Sequence, residues 1–199
     1  MNPNLILTPA LRRALALAIR VHETDEHQKR KGKDVPYLVH PLTVALILAR
    51  AGAADDVVAA GLLHDTIEDS VPSHKVTRAD LAEQFGEAVA AMVDACTEQD
   101  KAMPWAERKA EALRHIATMP VGALAVKSAD VICNINETVD DYAVSGAAIF
   151  DRFNNPKEAV LANQRAVLAA LIKRWEVLVA AQPMLADLRA LAGELAAIG

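Results

Sequence analysis

The sequence predicts an all-α protein. Hydrophobic residues make up 53% of the 199-residue chain and aromatic residues only 4%. Much of the apolar share is alanine and leucine, which favour packed helices over strands. Proline and glycine divide the chain into helix-sized segments. We expect one domain over residues 1–199, with a core of about 8–181 and a C-terminal helical tail of about 184–199.

Caps and prolines place the predicted helices in order. Thr8 and Pro9 begin a first helix that runs to about Gln28, and a charged loop from Lys29 to Val35 follows. Later helices are expected to begin at His40-Pro41, at Asp55 as a cap, at Thr77, at Pro104 and at Pro120, and one more ends near Cys96. After Pro156 a long helix rich in alanine and leucine runs to about Ala181, and Pro183 ends it.

Charge and segment composition exclude several classes of function. The net charge of −5 argues against a nucleic-acid polymer as partner, because such proteins normally present a basic face. No apolar run is long enough for a transmembrane helix, and the N-terminus lacks the pattern of a signal peptide. Two cysteines do not make a disulfide framework or a metal knuckle. We therefore expect a cytoplasmic protein without a membrane partner.

Two apolar segments contain ionisable residues that need an explanation. Residues 57–69 (VVAAGLLHDTIED) end in His64, Asp65, Glu68 and Asp69, and residues 123–134 (ALAVKSADVICN) carry a carboxylate in mid-helix at position 130. Burying a charge costs several kcal/mol unless the group is paired or bound to a metal. The economical interpretation is that these residues meet around an ion.

Helix geometry limits how such an ion is bound. His64 and Asp65 are about 100° apart on a helix, so they converge only on an ion beyond the helix end, expected near the break at residues 70–72. His40 and Asp130 are the further candidate ligands. Two imidazoles and two carboxylates suit Mn²⁺, Fe²⁺ or Zn²⁺. Four protein ligands on an octahedral ion leave positions for a water and a substrate oxygen, which is a hydrolytic arrangement.

Each candidate also has an ordinary structural interpretation. A single His-Asp pair on a helix usually carries no chemistry, and a histidine before a proline is more often a cap than a ligand. Asp130 alone is explained by a pairing with Lys127, and residues 29–33 read as a solubilising loop. The combination of all four candidate ligands is what favours a metal site.

The pattern His40, His64-Asp65, Asp130 resembles the signature of HD-domain metal-dependent phosphohydrolases. The surrounding residues resemble, more specifically, the hydrolase domain of RelA/SpoT-type alarmone enzymes: residues 36–41 (PYLVHP), 62–69 (LLHDTIED), 85–86 (FG) and 127–130 (KSAD) with Asn134. The resemblance covers about residues 14–138 and leaves no room for a synthetase domain. It implies an HD-domain helical bundle that acts as a stand-alone small alarmone hydrolase, releasing pyrophosphate from the 3′ position of (p)ppGpp or (p)ppApp with Mn²⁺ or another divalent metal.

The resemblance also implies a role for each matching residue. His40, His64, Asp65 and Asp130 match the metal ligands, and Glu68 and Asp69 match the acidic pair that positions and activates the attacking water. Substrate-binding residues are implied at Arg30, Lys31, Asn134 and Lys127. The expected partner is a purine nucleotide polyphosphate.

Three positions depart from the family pattern near the nucleotide. Val131 and Asn136 stand where a basic residue is usual, and Cys133 stands where a histidine or aromatic residue is usual. The base and the number of phosphates therefore stay open. Two alternatives also stay open: an HD-domain phosphohydrolase acting on another nucleotide, and a non-catalytic nucleotide-binding relative. The amphipathic tail either closes the core or forms the surface of a homo-oligomer.

Overall fold

The computed structural model describes residues 6–98, 102–178 and 182–198, and within these ranges the chain is helical without a strand. This confirms the all-α prediction. The α-helices are α1 (Pro9–Ile19), α2 (Val39–Arg50), α3 (Asp55–Leu63), α4 (Thr66–Asp69), α5 (Arg78–Phe85), α6 (Glu87–Cys96), α7 (Trp105–Ile116), α8 (Val121–Ser145), α9 (Lys157–Leu178) and α10 (Met184–Ala197). None of the described helices combines the length and the apolar character that crossing a membrane requires.

The chain forms two compact units. The first contains residues 1–97 and 120–129, and the second contains residues 98–119 and 130–199. Helix α8 contributes to both, since its first nine residues belong to the first unit and the rest to the second. The expectation of one domain stays a prediction.

Helix α3 is the central element of the first unit, where α1, α2 and α6 pack against it. All residues from Val58 to Leu63 are buried, which explains the nearly continuous apolar run in the sequence. Gly61 allows α2 to approach closely, because a Cβ atom at this position would lie 2.5 Å from Leu48 Cδ1. This close packing brings the start of α2 beside the end of α3.

Helix α9 is the central element of the second unit, where it packs against α7 and α10. Leu168, Leu171 and Trp175 are buried on α9, and the leucines of α10 at positions 185, 188, 191 and 195 are buried too. The side chains of Lys157 and Arg165 donate to the terminal carbonyls of α10 at Ile198 and Leu195. The predicted end of the long helix near Ala181 lies outside the described residues.

Two predicted helix termini are wrong. The first helix ends well before Gln28: α1 is followed by a π-helical turn (Arg20–Thr24), and His27 adopts a left-handed conformation with φ of 48°. Asp55 is the first residue of α3, and the cap position belongs to Ala54, whose side chain makes no capping bond. Thr77, in contrast, caps α5 as predicted, through a reciprocal capping box with Asp80.

Candidate metal centre

Three of the predicted ligands converge in the first unit. His40 Nε2 lies 3.2 Å from His64 Nε2 and 3.6 Å from Asp65 Oδ2, and His64 Nε2 lies 3.0 Å from the same carboxylate oxygen. Both imidazoles are buried, whereas the Asp65 side chain is 21% exposed. Two buried rings that point their Nε2 atoms at one another and at a carboxylate form a candidate metal site.

The distances between these donor atoms fit a divalent ion. Metal bonds of about 2.1 Å that meet at tetrahedral or octahedral angles place neighbouring donors about 3.0–3.4 Å apart. The separations of 3.0, 3.2 and 3.6 Å fall close to this range. Imidazole and carboxylate donors together are typical of first-row transition metals, so the residues present fit the expected cofactor.

A hydrogen bond to the backbone orients His64. Its Nδ1 atom lies 2.8 Å from the carbonyl oxygen of Gly61, which accepts only if Nδ1 carries the proton. The neutral ring then presents the Nε2 lone pair toward His40 and Asp65. Fixing the tautomer through the second ring nitrogen is how histidine ligands of metals are usually held.

His64 and Asp65 converge because the helix breaks between α3 and α4. The helix is interrupted at residues 64–65, where Asp65 has φ of −97° and ψ of −5°. The break predicted at residues 70–72 is present too, because α4 ends at Asp69 and Ser70 is extended, but the donor atoms of His64 and Asp65 meet at the earlier interruption. The buried Thr66 hydroxyl donates to the Leu63 carbonyl at 2.7 Å and so satisfies a backbone acceptor at the interruption. The interruption removes the 100° separation that an unbroken helix would impose on the two side chains.

Tyr37 connects the candidate metal centre to the basic loop. Its hydroxyl donates to Asp65 Oδ2 at 2.5 Å. One ring neighbour is His22, with centroids 4.9 Å apart, and the Arg30 guanidinium carbon lies 5.4 Å from the Tyr37 ring centroid. The Tyr37 hydroxyl therefore orients the carboxylate of Asp65, a predicted ligand, and its ring packs beside Arg30, a predicted substrate-binding cation.

The basic loop is a short hairpin closed by the bridge between Lys29 and Pro36. The backbone amide of Arg30 donates to the Val35 carbonyl. Gly32 has φ of 73°, a backbone conformation that residues other than glycine rarely adopt. Lys29 pairs with Asp34 on the surface. Lys31 is exposed at the tip of the hairpin.

The two predicted catalytic acids lie on α4, directly after the ligand pair. Asp69 Oδ2 accepts a 3.0 Å hydrogen bond from Gln28 Nε2. Burial raises the pKa of the Asp69 carboxyl, as does the negative charge of Asp65, although the bond from Gln28 opposes the shift. Glu68 is half-buried one residue before it.

The remaining predicted residues lie on α8. Asp130 is buried, and its Oδ1 accepts a hydrogen bond of 2.5 Å from Asn134 Nδ2, one helical turn away. Both belong to the second unit, whereas Lys127 lies in the first and is half-buried. Asn136, at one of the departures from the family pattern, donates its side-chain amide to the Ile132 carbonyl.

Sequence reasoning missed three residues beside the site: His22, Gln28 and Tyr37. Tyr37 contacts the predicted ligand Asp65 and Gln28 contacts the predicted acid Asp69, across 28 and 41 positions of sequence. His22 contacts both Gln28 and Tyr37. Tyr37 carried one available signal, because it comes three residues before His40 at the start of a helix. His22 carried a signal as well, because it falls on the same helical face as the apolar residues Leu11 and Ala18.

Comparison with known proteins confirms the fold class and the family. The model of the HD domain family matches residues 14–160. The chain belongs to this family. It is 35% identical over 132 residues to the guanosine-3′,5′-bis(diphosphate) 3′-pyrophosphohydrolase MESH1 of Danio rerio. The aligned region covers 65% of this chain and 69% of that protein. The chain is therefore homologous to ppGpp 3′-pyrophosphohydrolases, as the resemblance implied.

Longer enzymes and solved structures extend the comparison. The chain is 37% identical over 128 residues to a GTP pyrophosphokinase of Streptomyces coelicolor, but this match spans only 14% of that protein. A crystal structure of lmo0812 from Listeria monocytogenes superposes with a TM-score of 0.65 at 30% identity, over 77% of this chain and 96% of the other. A metazoan ortholog of SpoT that hydrolyses ppGpp superposes with a TM-score of 0.70 over 94% of both chains, and at 23% identity it shows the shared fold.

Proposed function

We propose that this chain is a metal-dependent 3′-pyrophosphohydrolase of purine alarmones, releasing pyrophosphate from (p)ppGpp, from (p)ppApp or from both. The observation that carries the proposal is the convergence of His40 Nε2, His64 Nε2 and Asp65 Oδ2, in a chain homologous to curated ppGpp pyrophosphohydrolases. In the proposed reaction a water oxygen bonds to the phosphorus next to the ribose 3′ oxygen. The bond between that phosphorus and the 3′ oxygen breaks, pyrophosphate leaves, and the 3′ oxygen takes up a proton.

In this proposal His40, His64 and Asp65 hold a divalent ion, and Asp130 is a fourth ligand. Support for Asp130 comes from the family resemblance, in which it matches the last metal ligand of the pattern. When bound, such an ion supplies Lewis-acid stabilisation of the negative charge that develops on the phosphoryl oxygens.

Glu68 and Asp69 are proposed to orient the attacking water and to accept its proton. Their support is their position on α4, directly after the ligand pair. A positioned general base contributes about 10²–10⁴ to the rate.

The substrate carries several phosphates, so binding it requires cations. We propose Arg30, Lys31 and Lys127 as the phosphate-contacting cations and Asn134 as a polar contact near the sugar. Arg30 lies beside Tyr37, which itself donates to a metal ligand, so a phosphate held by Arg30 lies close to the site. This placement is the support for the substrate assignment of the hairpin.

Three finer assignments belong to the same proposal. The native ion is Mn²⁺, the chain acts in the cytoplasm, and the tail helix α10 is a candidate surface for a homo-oligomer. The donor set supports a first-row divalent ion as a class. Metal analysis of the purified protein and its mass in solution test the first and third assignments.

A product assay on ppGpp and ppApp side by side tests the function. With Mn²⁺, wild-type protein is expected to release pyrophosphate from at least one of them, and Glu68→Gln and Asp69→Asn are each expected to lower kcat by about 10²–10⁴. Release of single phosphates from ordinary nucleotides would instead favour an HD-domain phosphohydrolase that acts on another nucleotide. Binding of both alarmones without turnover would indicate the non-catalytic relative.

A further inference from the structure

Gln28 uses both ends of its side-chain amide. Its Nε2 donates to Asp69 Oδ2 at 3.0 Å, and its Oε1 lies 2.7 Å from His22 Nδ1. An amide oxygen accepts and does not donate, so His22 must carry its proton on Nδ1. The two contacts together define a chain from His22 through Gln28 to Asp69.

The His22 ring is held at the far end of this chain. It is fully buried, and its Nε2 has no hydrogen-bond partner among the described residues. A buried imidazole with one unpartnered nitrogen is destabilising unless its other contacts compensate. The bond to Gln28 and the packing on Tyr37 at 4.9 Å are the contacts that the ring makes here.

The backbone between His22 and Gln28 is shaped to make this contact. The π-helical turn places the backbone carbonyl oxygen of His22 where the backbone N–H of Gln28 donates to it at 2.8 Å. The Gln28 carbonyl in turn accepts from the Tyr37 amide at 2.7 Å. Because the backbone and the side chain of Gln28 are both hydrogen-bonded, the side-chain amide has little freedom to turn away from Asp69. Single π-turns inside helices are often found at functional sites.

We propose that Gln28 is a positioning residue for the alarmone hydrolase reaction, held by His22 and acting through Asp69. This inference rests on the proposed function. Its donated hydrogen bond occupies one carboxylate oxygen and fixes the rotation of the group, so that the other oxygen is aimed at the attacking water. Holding a catalytic group in its reactive orientation lowers the barrier without strengthening substrate binding. Neither Gln28 nor His22 is expected to touch the substrate or the metal.

Replacing Gln28 by methionine tests this proposal, since methionine keeps the length of the side chain but removes the amide. We expect Gln28→Met to lower kcat by about tenfold or more, a part of the 10²–10⁴ that a general base supplies. KM and the affinity for Mn²⁺ are expected to stay within about twofold, because the binding groups are untouched. The matched control is Gln164→Met, which removes an amide that bonds Thr138 in the second unit and is expected to leave kcat unchanged.

A pair of variants at His22 separates positioning from packing. Asparagine keeps an N–H near the place of Nδ1, whereas glutamine carries its N–H near the place of Nε2. We therefore expect His22→Asn to retain more than about a third of wild-type kcat and His22→Gln to lose as much as Gln28→Met. Equal losses in both variants, with kcat of Gln28→Met within twofold of wild type, would overturn the proposal.

A measurement without substrate checks the contacts directly. Nitrogen-15 NMR of the imidazole is expected to show a proton on His22 Nδ1, and the Gln28 side-chain amide signal is expected to shift in Asp69→Ala. A proton on Nε2 would contradict the inference. The failure of the proposed function is a different result: wild-type protein would then release pyrophosphate from neither alarmone, and the inference would fall with it. Failure of the inference alone is wild-type hydrolysis that Gln28→Met leaves unchanged.

Discussion

Two helical segments of this protein each carry an aspartate inside an apolar run, but they accommodate it in different ways. Asp65 lies at a break between α3 and α4, where it meets His64 and His40 at 3.0 and 3.6 Å. Asp130 lies inside the unbroken helix α8 and is bonded by Asn134 one turn later. A break allows adjacent residues to converge on one point, whereas within a continuous helix a side chain meets partners of the same helix only three or four residues away. Adjacent side chains that bind the same ion therefore need an interruption of the helix between them.

The largest effect is expected from removing the charge at the break. Asp65→Asn keeps an acceptor for Tyr37 but loses the anionic ligand, so we expect Mn²⁺ affinity to fall and activity to drop by about 10³-fold or more, since metal-ion catalysis is worth several kcal/mol. Metal titration and the pyrophosphate assay measure both.

Asp130→Asn is the matched change in the continuous helix. It tests the proposed fourth ligand, and we expect it to lower metal affinity less than Asp65→Asn does, because it leaves intact the three donor atoms that lie within 3.6 Å of one another. Unchanged metal affinity in Asp65→Asn would refute the assignment of the break as the metal site.

A smaller effect is expected from the residue that orients Asp65. Tyr37→Phe removes the hydroxyl but leaves the ring beside Arg30 and His22. Loss of a hydrogen bond to a metal ligand typically costs about 10–100-fold in metal affinity or activity, and we expect a loss in this range. Unfolding of the metal-free protein serves as the control and should change little. An equal loss of stability and activity would mean that the hydroxyl has a structural role only.

Packing beside the break gives the next effect. Gly61→Ala would place a methyl group 2.5 Å from the buried Leu48 side chain, so we expect the free energy of unfolding to fall by about 1–3 kcal/mol. Gly193→Ala on α10 is the matched control, because a Cβ atom there meets nothing within 4 Å. It should stabilise the protein by about 0.4–1 kcal/mol. Chemical denaturation distinguishes the two signs, and equal shifts in both variants would contradict the close approach of α2.

The smallest effect concerns the hydroxyl at the break. Thr66→Val keeps the shape of the side chain but deprives the Leu63 carbonyl of its donor, so we expect a loss of about 1 kcal/mol. Ser128 makes a similar bond to Leu124, but inside a continuous helix that already satisfies that carbonyl. Ser128→Ala should therefore change stability by less than about 0.5 kcal/mol. The same denaturation curves test this difference. A larger loss of stability in Ser128→Ala than in Thr66→Val would contradict our account of the two segments.

The sequence predicted that His40, His64 and Asp65 lie together, as the structure shows, but it did not predict their exact meeting point. A histidine and carboxylates in apolar runs indicated an ion because a buried charge must be compensated. The break at residues 64–65 carries no local signal, since the sequence from Leu62 to Glu68 contains neither glycine nor proline. Tertiary packing and the Thr66 hydroxyl decide it.

Long-range contacts were likewise beyond the sequence patterns. The π-helical turn after α1 and the left-handed His27 move the chain so that Gln28 reaches Asp69, 41 positions later. Helix periodicity predicted instead that the first helix continues to Gln28. In contrast, Thr77 predicted the start of α5 correctly, because its capping box with Asp80 is satisfied within four residues.

The position of the bound metal tests the central claim most directly. Anomalous diffraction from crystals of manganese-loaded protein is expected to show a single strong peak within bonding distance of His40 Nε2, His64 Nε2 and Asp65 Oδ2. A peak elsewhere, with His40 and His64 hydrogen-bonded to each other in the loaded protein, would contradict the account.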